Sequence, residues 1–143
     1  MATKKVFTIA TVGHSNKPIA VFLGVLKKHT IEVLADVRTI PLSRFCPHFN
    51  QKALQDTLAK AHIKYFYRGK NLGGRGVNEG YEEAIDELVG LAKKGTKVAV
   101  MCSEGDYHNC HRYSTLAPSF EERGLTVEHI EYEKTNKIAK RNK

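Results

Sequence analysis

The chain has no tryptophan, two methionines, four prolines and three cysteines in 143 residues. Three cysteines leave one unpaired, so they do not form the framework of a disulfide-stapled secreted domain. No apolar run approaches the roughly 18 residues that a membrane span requires, which argues against a membrane partner. Met1-Ala2-Thr3-Lys4-Lys5 leads directly into a strand-like run, with none of the apolar region or cleavage site of a signal peptide. These features together imply a cytoplasmic, reduced protein. Acids are also scarce, at 15 against 23 Lys and Arg, for a formal net charge of +8. The last ten residues contain no acid at all, yet hold Lys134, Lys137, Lys140, Arg141 and Lys143. A flexible basic tail over 134–143 is therefore expected beyond a single domain at 1–133. Such a tail is expected to be a solvated end, whose charge would add nonspecific affinity for any phosphate backbone it met.

A hydrophobic content of 41% and a charged content of 27% are those of a globular protein with one core. The chain alternates apolar runs with amphipathic helical patterns. Val6–Val12, Ile31–Val37, Ile63–Tyr67, Val98–Met101 and Val127–Ile130 read as strands. Helices are expected from Pro18 to about His29, Gln51 to about Ala61, Tyr81 to about Lys94, and Asn109 to Arg123. Pro18 suits a first helical turn, Pro118 should disturb the last helix, and Gly124 should stop it. Thr39–Asn50 and Arg68–Gly80 read as long loops, the second with five glycines. This pattern predicts an α/β fold: a single three-layer domain of about five mostly parallel strands alternating with four main helices.

In an open parallel sheet, ligands bind beyond the carboxyl ends of the strands. The unusual residues fall at those ends. The first strand runs into Gly13-His14-Ser15-Asn16. The second runs into Asp36-Val37-Arg38, followed by Ser43-Arg44. The third runs into Tyr67-Arg68 and then Leu72-Gly73-Gly74-Arg75. The fourth runs into Cys102-Ser103-Glu104, ahead of Cys110-His111-Arg112. The opposite turns, such as Lys28-His29-Thr30 and Lys94-Gly95-Thr96, are bland, so solubility alone does not account for the asymmetry.

GHSN, DVR followed by P-x-SR, LGG, and C-x-E with a downstream CHR resemble the family known as domain of unknown function 488. The resemblance runs from about Phe7 to Ile130. It implies that His14, Asp36, Arg38, Ser43, Arg44, Gly73, Gly74, Cys102, Glu104, Cys110, His111 and Arg112 match a family pattern, without assigning them a reaction. The early DVR and the later strand-Cys-loop-helix are also similar to rhodanese-like sulfurtransferases, although Glu104 and Asp106 put acids where an anion-binding cysteine loop offers backbone donors.

Several chemistries compete for this edge. Arg38, Arg44, Arg68, Arg75 and Arg112 offer planar donor forks suited to phosphate or carboxylate. Ser15 and Asn16 lie at a helix start, where backbone N–H groups favour anions. Gly73-Gly74 lets backbone approach a ligand closely. The competing account has Asp36 pairing with Arg38, Arg44 or Arg112 as a structural network. Cys102 precedes a helix N-terminus, as a nucleophile does, and equally suits a small buried side chain. Cys102 and Cys110 read either as a redox pair or as two inert thiols. No metal site is expected, because adjacent Cys110 and His111 diverge by about 100° on a helix. Glu104 with His14, His108 or His111 would move protons on a ligand held by the arginines, or would form a salt bridge. Phe45 and Phe49 are expected to pin the long loop to the sheet.

The resulting expectation is a small enzyme acting on an anionic ligand that bears phosphate, such as a nucleotide or nucleic-acid component. His14, Asp36, Cys102 and Glu104 are its candidate catalytic residues. Ser15, Asn16, Arg38, Arg44, Gly73, Gly74, Cys110, His111 and Arg112 are its candidate binding residues. No cofactor is required by the sequence, and the reaction class and oligomeric state stay open. The alternatives are a noncatalytic nucleic-acid-binding module and cysteine-dependent sulfur transfer.

Overall fold

A computed structural model describes residues 6–73, 78–104, 110 and 112–132, without the side chains of Arg112 and Tyr113. The elements run β1 (Thr8–Gly13), α1 (Ile19–Lys28), β2 (Val33–Asp36), a 3-10 turn (Pro47–Phe49), α2 (Gln51–Lys60) and β3 (Lys64–Tyr67). They continue with α3 (Gly69–Leu72), α4 (Tyr81–Lys93), β4 (Val98–Cys102), a π-helical turn (Arg112–Leu116), α5 (Ala117–Glu122) and β5 (Thr126–His129). The five strands form one sheet in the order β3-β2-β4-β1-β5, and every pairing is parallel. The α/β three-layer expectation is thus met, with an all-parallel sheet.

The sheet divides two apolar clusters. On one face Phe22, Val25 and Leu26 of α1 and Leu54 and Leu58 of α2 meet Val12, Leu34 and Met101. On the other face Ile85, Leu88 and Val89 of α4 and Phe120 of α5 meet Ile9, Val33 and Val100. Every residue of β2 and of β4 is buried, as central parallel strands covered on both faces must be. The edge strands β3 and β5 are more exposed and mix polar with apolar residues.

Three local expectations are corrected. Within the loop expected over Arg68–Gly80, residues Gly69–Leu72 form a short helix, hidden in the sequence by Gly69 and Asn71, which are poor helix formers. The helix expected from Asn109 is described only from Arg112, and it opens as a wide π-turn before α5. Pro118 lacks an N–H and its ring crowds the preceding turn, so it sits in the first turn of α5 with the irregular turn ahead of it, which is the disturbance expected there. Phe49 is fully buried, but Phe45 is 87% exposed and pins nothing. The chain from 39 to 50 is instead tied by polar contacts. Ser43 N–H donates to Asn50 Oδ1 at 2.6 Å, Cys46 N–H to Ser43 Oγ at 3.1 Å, and Gln51 N–H to the Pro41 carbonyl at 2.8 Å. Asn109 and the basic tail lie outside the described residues. Among the described residues no helix is long and apolar enough to cross a membrane.

Candidate functional site

Strands β1 and β4 are neighbours, and the helices that follow them pack on opposite faces of the sheet. In folds of this kind, such a divergence marks the carboxyl ends of the two strands as the usual ligand position. Gly13 is in register with Cys102, and Asp36 with Met101. The parallel pairing continues past the strands. His14 N–H donates to the Cys102 carbonyl at 3.0 Å, Ser15 N–H to the Ser103 carbonyl at 2.9 Å, and Val37 N–H to the Met101 carbonyl at 3.0 Å. His14, the Asp36–Arg38 segment and Cys102 therefore leave three adjacent strands side by side.

Asp36, Arg38 and His14 form one buried polar network, at 0%, 5% and 3% exposure. Arg38 grips Asp36 with two parallel bonds, Nε to Oδ1 at 2.9 Å and Nη2 to Oδ2 at 2.7 Å. The Arg38 backbone N–H adds a bond to Oδ1 at 3.1 Å, and the Tyr65 hydroxyl donates to Oδ2 at 2.7 Å. Both carboxylate oxygens are thus doubly engaged, which is how a buried charge is tolerated. Burial first, and then the Asp36 charge, push the Tyr65 hydroxyl far above its ordinary range, so it stays a donor.

His14 sits against the same guanidinium. Its Nδ1–H donates to the Ser15 carbonyl at 2.7 Å, since a carbonyl only accepts. Nε2 then carries the lone pair and accepts from Arg38 Nη1 at 3.3 Å. The ring stacks on Phe49 at 4.3 Å, with 21° between the planes. Phe49 is held in turn edge-on to Phe22 at 5.1 Å. Next to it, His48 Nε2–H donates to the Lys17 carbonyl at 2.9 Å and fastens the 3-10 turn to the approach of α1. Burial lowers the His14 pKa to about 4; the Arg38 charge adds to that shift, and together they outweigh the Ser15 bond and Asp36.

A pH effect follows from this shift. Between about pH 6.5 and 4 the unfolded chain binds a proton at His14 that the folded chain refuses. The stability contributed by neutral His14 is complete above 6.5 and is lost as pH falls toward 4. It amounts to about 3 kcal/mol from a shift of this size. Urea unfolding across that range should show a smaller loss of stability in His14→Gln than in the parent. An NMR titration giving His14 an ordinary imidazole pKa would contradict it.

The remaining candidates are dispersed. Cys102 is buried, and its Sγ lies 2.9 Å from the Sγ of the partly exposed Cys110. Cys102 Sγ also approaches the Glu104 carbonyl at 3.7 Å, while the Glu104 side chain is exposed. Ser15 adopts a left-handed backbone, with φ of 49°, and its Oγ donates to Asn16 Oδ1 at 3.4 Å. Arg44 is exposed on the loop with Phe45. Gly73 is buried against the Thr39 side chain and the Gly69 carbonyl. Arg68, which the sequence puts with the basic edge, is committed elsewhere, with Nε and Nη2 on the Glu87 carboxylate of α4 at 2.7 and 2.9 Å. Gly74, Arg75, His108, His111 and the Arg112 side chain lie outside the described residues. Among those that are described, no three His, Cys, Asp or Glu side chains gather as metal ligands would.

Two contributors were not legible as site residues. Tyr65 reads as one member of an alternating aromatic strand, and Phe49 as a loop anchor. The only sequence signal for Tyr65 is strand alternation, which puts it with Tyr67 on one side of β3 and Phe66 on the other.

No curated protein matches the chain, and no solved structure does. Residues 18–79, from the start of α1 past α3, match a family model. That stretch contains Asp36, Arg38, Arg44, Tyr65 and Gly73. Over those residues the chain is similar to the family described as Domain of unknown function DUF488.

Proposed function

We propose that the chain is a small enzyme that holds an anionic, phosphate-bearing ligand at the carboxyl ends of β1, β2 and β4. One observation carries this reading. A guanidinium has five N–H donors, and Arg38, though 5% exposed, spends three of them on Asp36 and His14. Two donors have no partner among the described residues. Buried donors are costly to leave unmade, and an anion's oxygens would satisfy them. Asp36 and His14 then serve as positioning residues that fix the direction of the fork. Neutral His14, with its lone pair turned to Arg38, accepts a hydrogen bond from the guanidinium and is not free to abstract a proton. Exposed Arg44 would supply the net positive charge that the Asp36–Arg38 pair lacks, and Glu104 and Cys102, at the end of β4, would serve the chemistry.

The test is titration of the full chain with inorganic phosphate and with a nucleoside monophosphate, followed by calorimetry. Saturable binding is expected, weakened about 10-fold or more in a folded Arg38→Lys variant, which cannot present the same fork. Absence of saturable binding for both ligands overturns the reading.

A second reading, a nucleic-acid-binding module, is favoured by Phe45. An aromatic ring 87% exposed beside Arg44 suits base stacking. Under that reading a single-stranded oligonucleotide binds with a steep salt dependence and loses affinity in Phe45→Ala, while the monophosphate does not bind.

A further inference from the structure

We propose that Cys102 and Cys110 are a reversible dithiol–disulfide couple, a modification site at the carboxyl edge of the sheet that takes low-molecular-weight disulfides as its oxidant. The two sulfurs lie 2.9 Å apart. That is well inside ordinary non-bonded contact, and closing to the roughly 2.05 Å of a covalent bond needs a displacement of less than one ångström. The third thiol, Cys46, is buried in the cluster on the α1–α2 face and belongs to a different part of the fold. The inference stands independently of the proposed ligand.

The difference in exposure sets the order of events. Cys102 is 4% exposed at the end of β4, whereas Cys110 is partly exposed. The Cys110 thiolate therefore meets the small disulfide first. It attacks one sulfur, forms a mixed disulfide and releases one small thiolate. Cys102, losing its proton, then attacks the Cys110 sulfur and releases the second. The pair gives up two electrons and two protons, and the small disulfide is reduced to two thiols. Rate and direction follow the rules of thiol–disulfide exchange. Oxidation would fasten the chain before the π-turn to the end of β4. Because Gly13 is in register with Cys102 and the His14 N–H bonds its carbonyl, that clasp closes beside the His14–Arg38 network.

The full chain is equilibrated in buffers of graded oxidised and reduced glutathione, acid-quenched, labelled with a maleimide and digested with trypsin. Cleavage after Lys97 and Arg112 puts both cysteines in one peptide and Cys46 in another. The expected product is a 98–112 peptide that carries no label and has lost two hydrogens, with Cys46 still labelled. Because the cysteines are near in sequence, the same equilibrium is measured in denaturant. The native chain should favour the disulfide about tenfold or more over the denatured one. Cys102→Ser should accumulate a glutathione adduct at Cys110, and Cys110→Ser should leave Cys102 unmodified. Two labelled cysteines at strongly oxidising ratios, a stable Cys110 adduct in the parent chain, or equal equilibria in native and denatured chains would each overturn the proposal.

Discussion

Replacing Asp36 with alanine is expected to cost about 3–5 kcal/mol of stability, because it strands the Arg38 charge in the interior. Asp36 is fully buried and receives four hydrogen bonds, three of them from Arg38. Without the carboxylate, the guanidinium keeps only His14 Nε2 as a partner among the described residues, and Tyr65 loses its acceptor. Urea unfolding is the measurement. The double variant Asp36→Ala, Arg38→Met should be more stable than Asp36→Ala alone, since removing both charges removes the desolvation penalty with them. A loss below about 1 kcal/mol, the scale of an exposed ion pair, would mean that water solvates Arg38 once Asp36 is gone and that the pair is not held in a low-dielectric interior.

Gly69→Ala should be the most disruptive single methyl addition on this side of the sheet. A Cβ at Gly69 would fall in hard contact with the Arg38 carbonyl oxygen and the Tyr67 hydroxyl. One obstacle is backbone. The other is a ring whose hydroxyl donates to the Thr39 carbonyl at 2.7 Å, so neither can simply rotate away. Relief requires α3 to move off the segment that carries Arg38, at the top of or beyond the roughly 1–3 kcal/mol range for overpacking. Gly24→Ala and Gly90→Ala are the controls. Both sit in helices with nothing near the added carbon, and each should gain about 0.5–1 kcal/mol. The Arg38 Nε resonance reports the site directly: it should shift in Gly69→Ala and hold in the controls. An unchanged resonance and stability in Gly69→Ala would show that α3 does not buttress Arg38.

The glycines illustrate how the sequence informs and where it stops. LGG reads as backbone able to approach a ligand closely, whereas the neighbours of Gly73 are the Thr39 side chain and the Gly69 carbonyl. Gly69 carries a tighter constraint and gave no signal, because its obstacles come from Arg38 and Tyr67 on two different strand ends. The same separation governs the arginines. Arg68 and Arg38 look equivalent when read along the chain, each one or two residues past a strand. Arg68 turns to α4 and Glu87, whereas Arg38 folds back onto Asp36, two residues earlier. Side chains two apart share a face in a strand, so the Asp36–Arg38 pair is a local possibility that the pattern DVR contains. That it is buried, and completed by Tyr65 and His14, is not local.

The sequence by itself determined the alternation of strands and helices, the parallel sheet and the concentration of unusual residues at its carboxyl edge. Those properties follow from hydrophobic period, turn residues and the handedness of crossovers, which act over one element and its neighbour. The tertiary structure decided the strand order, which makes β1 and β4 neighbours, and with it which of the polar residues meet. It set Asp36 against Arg38 and Tyr65, stacked His14 on Phe49, turned Phe45 outward and brought the sulfurs of Cys102 and Cys110 together. Partner choice among similar side chains depends on burial and on distances set by elements far apart in the chain, and a buried charge takes whichever partner the packing brings within reach.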